Sequence, residues 1–94
     1  MPEEFDGFDW DAANAGHILR HRVTPAEVEE AAILPHVTVP GQSVAGEQRW
    51  QLFGRTAASR YLVVIFTVRR RLFRTVTAYT MNAAQRKIYA PQID

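Results

Sequence analysis

The 94-residue chain predicts an α+β domain with two N-terminal helices, an antiparallel three- to four-stranded meander sheet and a C-terminal helix. Three observations lead there. Two runs rich in β-branched and aromatic residues, Tyr61 to Val68 and Leu72 to Tyr79, flank Arg69-Arg70-Arg71 in the pattern of a hairpin with a cationic tip. A third run, Arg49 to Arg55, alternates: Trp50 and Leu52 point one way, and Arg49, Gln51 and Arg55 the other. Finally, Thr24-Pro25-Ala26-Glu27 reads as a capping box with proline at the first helical position.

The elements follow in order. Aromatics at Phe5, Phe8 and Trp10 lie among acids, and Trp10 is expected to anchor this opening segment to the core. Asp9 or Asp11 can cap a helix over 12–21, on which Asn14, His17 and His21 share a face at i, i+3 and i+7. The second helix, 25–33, turns Val28, Ala31 and Ala32 to the core and sets Glu27 and Glu30 together on another side; Pro35 ends it. His36 to Val39 is a short edge strand closed by Pro40-Gly41, with a polar loop over 41–47. Strict alternation along Leu72 to Tyr79 puts Phe73, Thr75, Thr77 and Tyr79 on one face and Arg74, Val76 and Ala78 on the other. Met81-Asn82 leads into a last helix, 83–89. One domain spans 1–94, since this length supports a single core.

Composition excludes several classes. Without cysteine there is no disulfide framework and no thiolate metal site. The longest apolar run, Tyr61 to Phe66, cannot cross a bilayer, and the acidic start MPEEFDGFDWD is unlike a secretory signal, so a cytoplasmic protein without membrane contact is expected. His17 and His21 have a spacing that can hold a metal, but no HExxH motif surrounds them, and no metal or cofactor is expected. Walker, GxGxxG and GxSxG motifs are absent.

Charge is divided along the chain. Residues 1–48 carry nine acids against Arg20 and Arg22, a net −7; residues 49–94 carry nine bases against Asp94, a net +8, and the two give the overall +1. The basic set is Arg49, Arg55, Arg60, Arg69, Arg70, Arg71, Arg74, Arg86 and Lys87. Arginine binds phosphate through two parallel bonds and stacks on bases, so this half suits an anionic partner such as single-stranded RNA. The opposing reading is that the two halves neutralise each other within the fold.

The order FDWD at 8–11, Asn14, His17, His21 with Arg22-Val23, TPAEVEE at 24–30, GEQRW at 46–50, GRT at 54–56, RYLVVIFT at 60–67, RTVTAY at 74–79 and QRKIY at 85–89 resembles the BrnT family. The resemblance implies a RelE-like fold, a metal-independent endoribonuclease toxin of a type II toxin–antitoxin system, and a hetero-oligomer with a BrnA-like antitoxin. It matches Glu47 and Arg49 to the family's GExR element, Gly54-Arg55 to its GR, Arg74 to the arginine opening the last strand, and Arg86 with Tyr89 to the terminal helix. Two positions depart from it: Arg22 stands where most members have glycine, and Thr77-Ala78-Tyr79-Thr80 where members carry serine, alanine and one or two arginines. The expected catalytic set is His21, Arg55, Arg74, Tyr79 and Arg86; Arg49, Arg60, Arg69, Arg70, Arg71 and Lys87 are expected to contact RNA. The alternative is a catalytically weak or inactive module that binds antitoxin or RNA, motivated by Tyr79-Thr80.

Overall fold

A computed structural model describes residues 4–94; Met1, Pro2 and Glu3, the start of the acidic opening segment, lie outside the described residues. The elements are β1 (Gly7–Phe8), α1 (Ala12–Leu19), α2 (Pro25–Ile33), β2 (His36–Val44), β3 (Glu47–Arg55), β4 (Tyr61–Arg69), β5 (Leu72–Thr80) and α3 (Ala83–Ile93). The sheet runs β1-β5-β4-β3-β2, with β2 to β5 an antiparallel meander and β1 parallel to β5. The α+β class agrees with expectation, and the element order differs in that β1 precedes the two N-terminal helices. The sheet is larger: it has five strands and is mixed, because the two-residue β1 adds itself to the outer edge of β5.

Boundaries also differ: β3 begins at Glu47, inside the expected loop, because Glu47 and Gln48 pair with Val44 and Ser43, and three others differ for a local reason. α1 stops at Leu19 instead of 21, since Arg22 takes a left-handed φ of 60° that no helix contains. β2 continues through Pro40-Gly41 to Val44 by shifting register between Pro40 and Ser43. Proline is tolerated because β2 is an edge strand, and a Cβ at Gly41 would sit 3.2 Å from the Arg49 carbonyl. α3 runs past Pro91 to Ile93, because a missing N–H near a helix end removes only one bond, and Gln92 Nε2 donates to the Ile88 carbonyl at 3.0 Å. All three helices begin with a capping box: Asp11 with Asn14, Thr24 with Glu27, and Asn82 with Gln85.

Two cores form on opposite faces of the sheet. Under α1 and α2, Ile18, Val28, Leu52, Val64, Phe66 and Phe73 are buried, with the rings of Phe66 and Phe73 stacked 4.0 Å apart. Burying one such ring is worth about 1.5–3 kcal/mol. Trp10 packs against this core and donates from Nε1 to Glu29 Oε2 at 2.8 Å, which is the anchoring expected of it. Under α3 lies a smaller cluster of Phe53, Val63, Met81 and Ile93, where Tyr89 stacks on Phe53 at 3.7 Å.

The β4–β5 turn is strained. Arg70 and Arg71 have φ of 52° and 63°, the left-handed pair a two-residue hairpin requires. For residues with a Cβ that geometry costs about 1–2 kcal/mol each.

Candidate phosphate-binding cleft

On the face away from Phe66, three side chains form a row across the central strands. Thr67 on β4 pairs with Arg74 on β5, and Arg49 on β3 directly precedes the Trp50↔Phe66 pair. α3 covers this face only around Phe53 and Val63, so the row opens into a cleft of about 280 Å³. Arg49, Arg69, Arg74, Thr67, Asn14 and Thr75 line it. One of its polar atoms, Arg49 Nε, is buried and meets no hydrogen-bond partner; Thr75 Oγ1 is unpartnered too, but it shares the face of Phe66. Leaving a group such as Arg49 Nε unpaired costs about 1–3 kcal/mol, so a ligand with acceptor oxygens would recover that loss. Asn14 by contrast is fully used: Nδ2 donates to the Asp9 and Thr75 carbonyls and Oδ1 accepts from the Asp11 N–H.

The cleft's other arginines are already paired. Arg69 makes two bonds to Glu47, at 2.5 and 3.0 Å, and Arg74 reaches Asp11 at 2.9 Å and Asp9 at 3.4 Å. Beside them Arg71 bonds Asp6 at 2.8 and 3.2 Å, and on the α2 side Arg60 bonds Glu27 at 2.6 Å and the Arg22 carbonyl at 2.8 Å. Arg69 holds the Glu47 carboxyl below its ordinary value; the Asn14 N–H and then Arg74 do so for Asp11, and Arg71 for Asp6. Burial works to raise Glu27, but Arg60 and the Thr24 N–H outweigh it and leave it lowered. Much of the charge division along the chain therefore closes inside the fold. Arg49 forms no ion pair among the described residues.

The expected catalytic residues fall in three places. Arg74 is in the cleft. His21 lies on the α1–β5 seam, with its ring 6.5 Å from Tyr79 and 5.4 Å from His17, whose Nε2 is 3.1 Å from Thr77 Oγ1. The face shared by Asn14, His17 and His21 thus runs along Thr75, Thr77 and Tyr79 and covers the edge of β5 beyond β1. Among the described residues no third ligand completes a cation site with the two histidines. The strand itself does not keep one alternation: Phe66 pairs with Thr75 but Ile65 with Thr77, so Val76 is an extra residue. That bulge puts Phe73 in the first core and Tyr79 against the second, and the four residues expected on one face are divided.

Arg55 and Arg86 lie at the α3 end. Arg86 stacks over the Tyr61 ring at 4.6 Å, Tyr61 donates its hydroxyl to Asp94 at 2.6 Å, and Arg55 Nε lies 3.4 Å from the same carboxylate. That last contact is one of charge without a directed hydrogen bond, since Arg55 Nε has no well-aligned partner. The bond to Asp94 pushes the Tyr61 phenol above its ordinary value. Lys87 is exposed on α3. Sequence reading overlooked Thr67 as a cleft hydroxyl, and gave Glu47 no role; the available signal was strand parity, which sets Glu47 and Arg49 on one face.

A family model described as "Ribonuclease toxin, BrnT, of type II toxin-antitoxin system" matches residues 10–85, a span that contains every lining residue of the cleft. No curated protein matches the chain. No helix among the described residues is long and apolar enough to cross a membrane. With the match covering most of its length, the chain belongs to the BrnT family, the ribonuclease toxins of type II toxin–antitoxin systems.

Proposed function

We propose that this toxin is a metal-independent endoribonuclease that holds the scissile phosphate in the Arg49–Arg74 cleft and is neutralised by a BrnA-like antitoxin laid over that face. The observation that carries this reading is the buried, unpartnered Arg49 Nε within a cleft walled by three arginines. Fixed guanidinium donors aimed at a phosphate stabilise the charge that develops as the 2′-oxygen attacks. His21 and Tyr79 are the acid and base expected from the sequence, but Tyr79 lies five residues along β5 from Arg74, about 16 Å of strand, too far to serve a phosphate held in the cleft. A substrate engaging both must run along β5, with Tyr79 and His21 against a neighbouring nucleotide.

Steady-state cleavage of a model RNA tests the assignment. Arg49→Ala and Arg74→Ala should lower kcat, whereas His21→Ala and Tyr79→Phe should mainly raise KM. The reverse pattern would move the scissile phosphate to the seam. Cleavage should persist in chelator; loss there would rule out the metal-independent mechanism. The same surface being covered by antitoxin predicts that a saturating antitoxin protects Arg49 and Arg74 from arginine-modifying reagents.

A second reading has its own support. Arg69 and Arg74 are held by Glu47, Asp9 and Asp11, and Tyr79 replaces a family arginine. Both favour a weak or inactive nuclease that still pairs with its antitoxin. Expression of the toxin alone separates them: growth arrest with RNA decay supports the enzyme, and normal growth with tight antitoxin binding supports the module.

A further inference from the structure

The hairpin tip carries arginines where the backbone disfavours them. A two-residue turn with positive φ at both positions is filled with least strain by asparagine and glycine; here it holds Arg70 and Arg71. Arg71 regains support from the fold, since its guanidinium pairs with Asp6 and its carbonyl accepts the Asp6 N–H at 2.6 Å. Arg70 regains none. Its side chain is exposed and makes no hydrogen bond or ion pair among the described residues. A cation kept in strained backbone without contact to its own fold points to a ligand outside it.

Position narrows the ligand. Arg70 and Arg69 line a recess of about 370 Å³ with Asp9 and Leu72, and Arg69 also walls the arginine cleft. Two cationic recesses therefore meet at one side chain. Asp9 stands in the tip recess and repels an isolated anion, so the recess favours a phosphate that is anchored elsewhere along the same chain. We infer that Arg70, with Arg69, binds a second backbone phosphate of a single-stranded RNA whose neighbouring phosphate occupies the Arg49–Arg74 cleft, and that the turn retains its strain for this contact. The inference rests on the cleft reading above. It adds a substrate requirement: the RNA must extend past the cleft on the tip side, and inorganic phosphate binds the tip poorly.

Arg70→Asn tests it, because asparagine accepts left-handed geometry with little strain. The probe is a fluorescein-labelled, 2′-O-methyl single-stranded 12-mer titrated at several salt concentrations, with thermal melting in parallel. The expected result is a melting temperature raised by about 2–5 °C together with affinity lowered about five- to tenfold. The slope of log K against log salt should fall by about 0.7, as for one lost phosphate contact to a single strand. Arg70→Lys should restore part of the affinity. A raised melting temperature with unchanged affinity and slope overturns the inference, as does a lowered melting temperature, which would make the side chain part of the fold. Arg49→Ala separates the two readings. If it weakens binding while Arg70→Asn does not, the cleft stands and the tip contact falls; if Arg49→Ala changes nothing, both fall.

Discussion

The two ends of the central strands use arginine in opposite ways. At the tip end Arg49, Arg69 and Arg74 converge on a cleft that contains the buried, unpartnered Nε of Arg49. At the α3 end Arg55 and Arg86 converge on Tyr61 and Asp94, and aromatic stacking of Phe53 on Tyr89 closes what is left. The same residue type thus marks an open site in one place and a helix latch in the other. Arginine content locates neither, and nor does an unpartnered Nε, since Arg55 has one as Arg49 does; α3 packs over the one end and leaves the other open.

This contrast can be broken by experiment. The largest effect expected is on catalysis at the tip: Arg74→Ala should lower cleavage about 10²–10³-fold, while Arg86→Ala, at the latch, leaves the rate within a few-fold. Equal losses from both would erase the distinction. Next is stability at the latch. Ile93 is 3% exposed, and Ile93→Ala should destabilise by about 2–4 kcal/mol in denaturant titrations, without changing RNA affinity once the protein is folded.

The two ends should also differ in pH response. The carboxyl groups of Asp6, Asp11 and Glu47 are lowered in the folded state. Their contribution to stability is present above the ordinary carboxylate range and is lost as pH falls through the folded values. Tyr61 is raised, so its contribution is complete below the ordinary phenol value near ~10 and fades as pH climbs above it. Backbone NMR should therefore report loosening first at the tip on acidification and first at α3 in alkali. The smallest effect expected is Glu47→Gln, which releases Arg69 and should tighten RNA binding about two- to threefold, the scale of a modest exposed ion pair.

The hairpin and the Thr24 capping box were legible because each is written in local residue patterns. The face shared by Asn14, His17 and His21 was legible too, since helical spacing alone defines it. What escaped was set by tertiary contact. Two-residue β1 has no period to detect, and it exists because Gly7 and Phe8 meet Leu72 and Phe73. The Val76 bulge broke the alternation of β5 without any glycine or proline to announce it. The charge division was visible as a sum, but only the fold showed that Asp6, Asp9 and Asp11 reach across to Arg71 and Arg74. Arg22 is instructive: the resemblance marked it as a departure from glycine, and its φ of 60° explains why glycine suits that position.

The covering of β5 has a consequence for self-association. β1 and then Asn14 and His17 occupy the outer side of that strand, so a further strand cannot pair with β5 directly. The edges of the sheet among the described residues are therefore β1, two residues long, and β2, nine residues long. A two-residue edge offers almost no ladder to a further strand, whereas β2 offers a long one. Strand-to-strand pairing of this toxin with itself is thereby directed to β2 against β2, which closes as a pair.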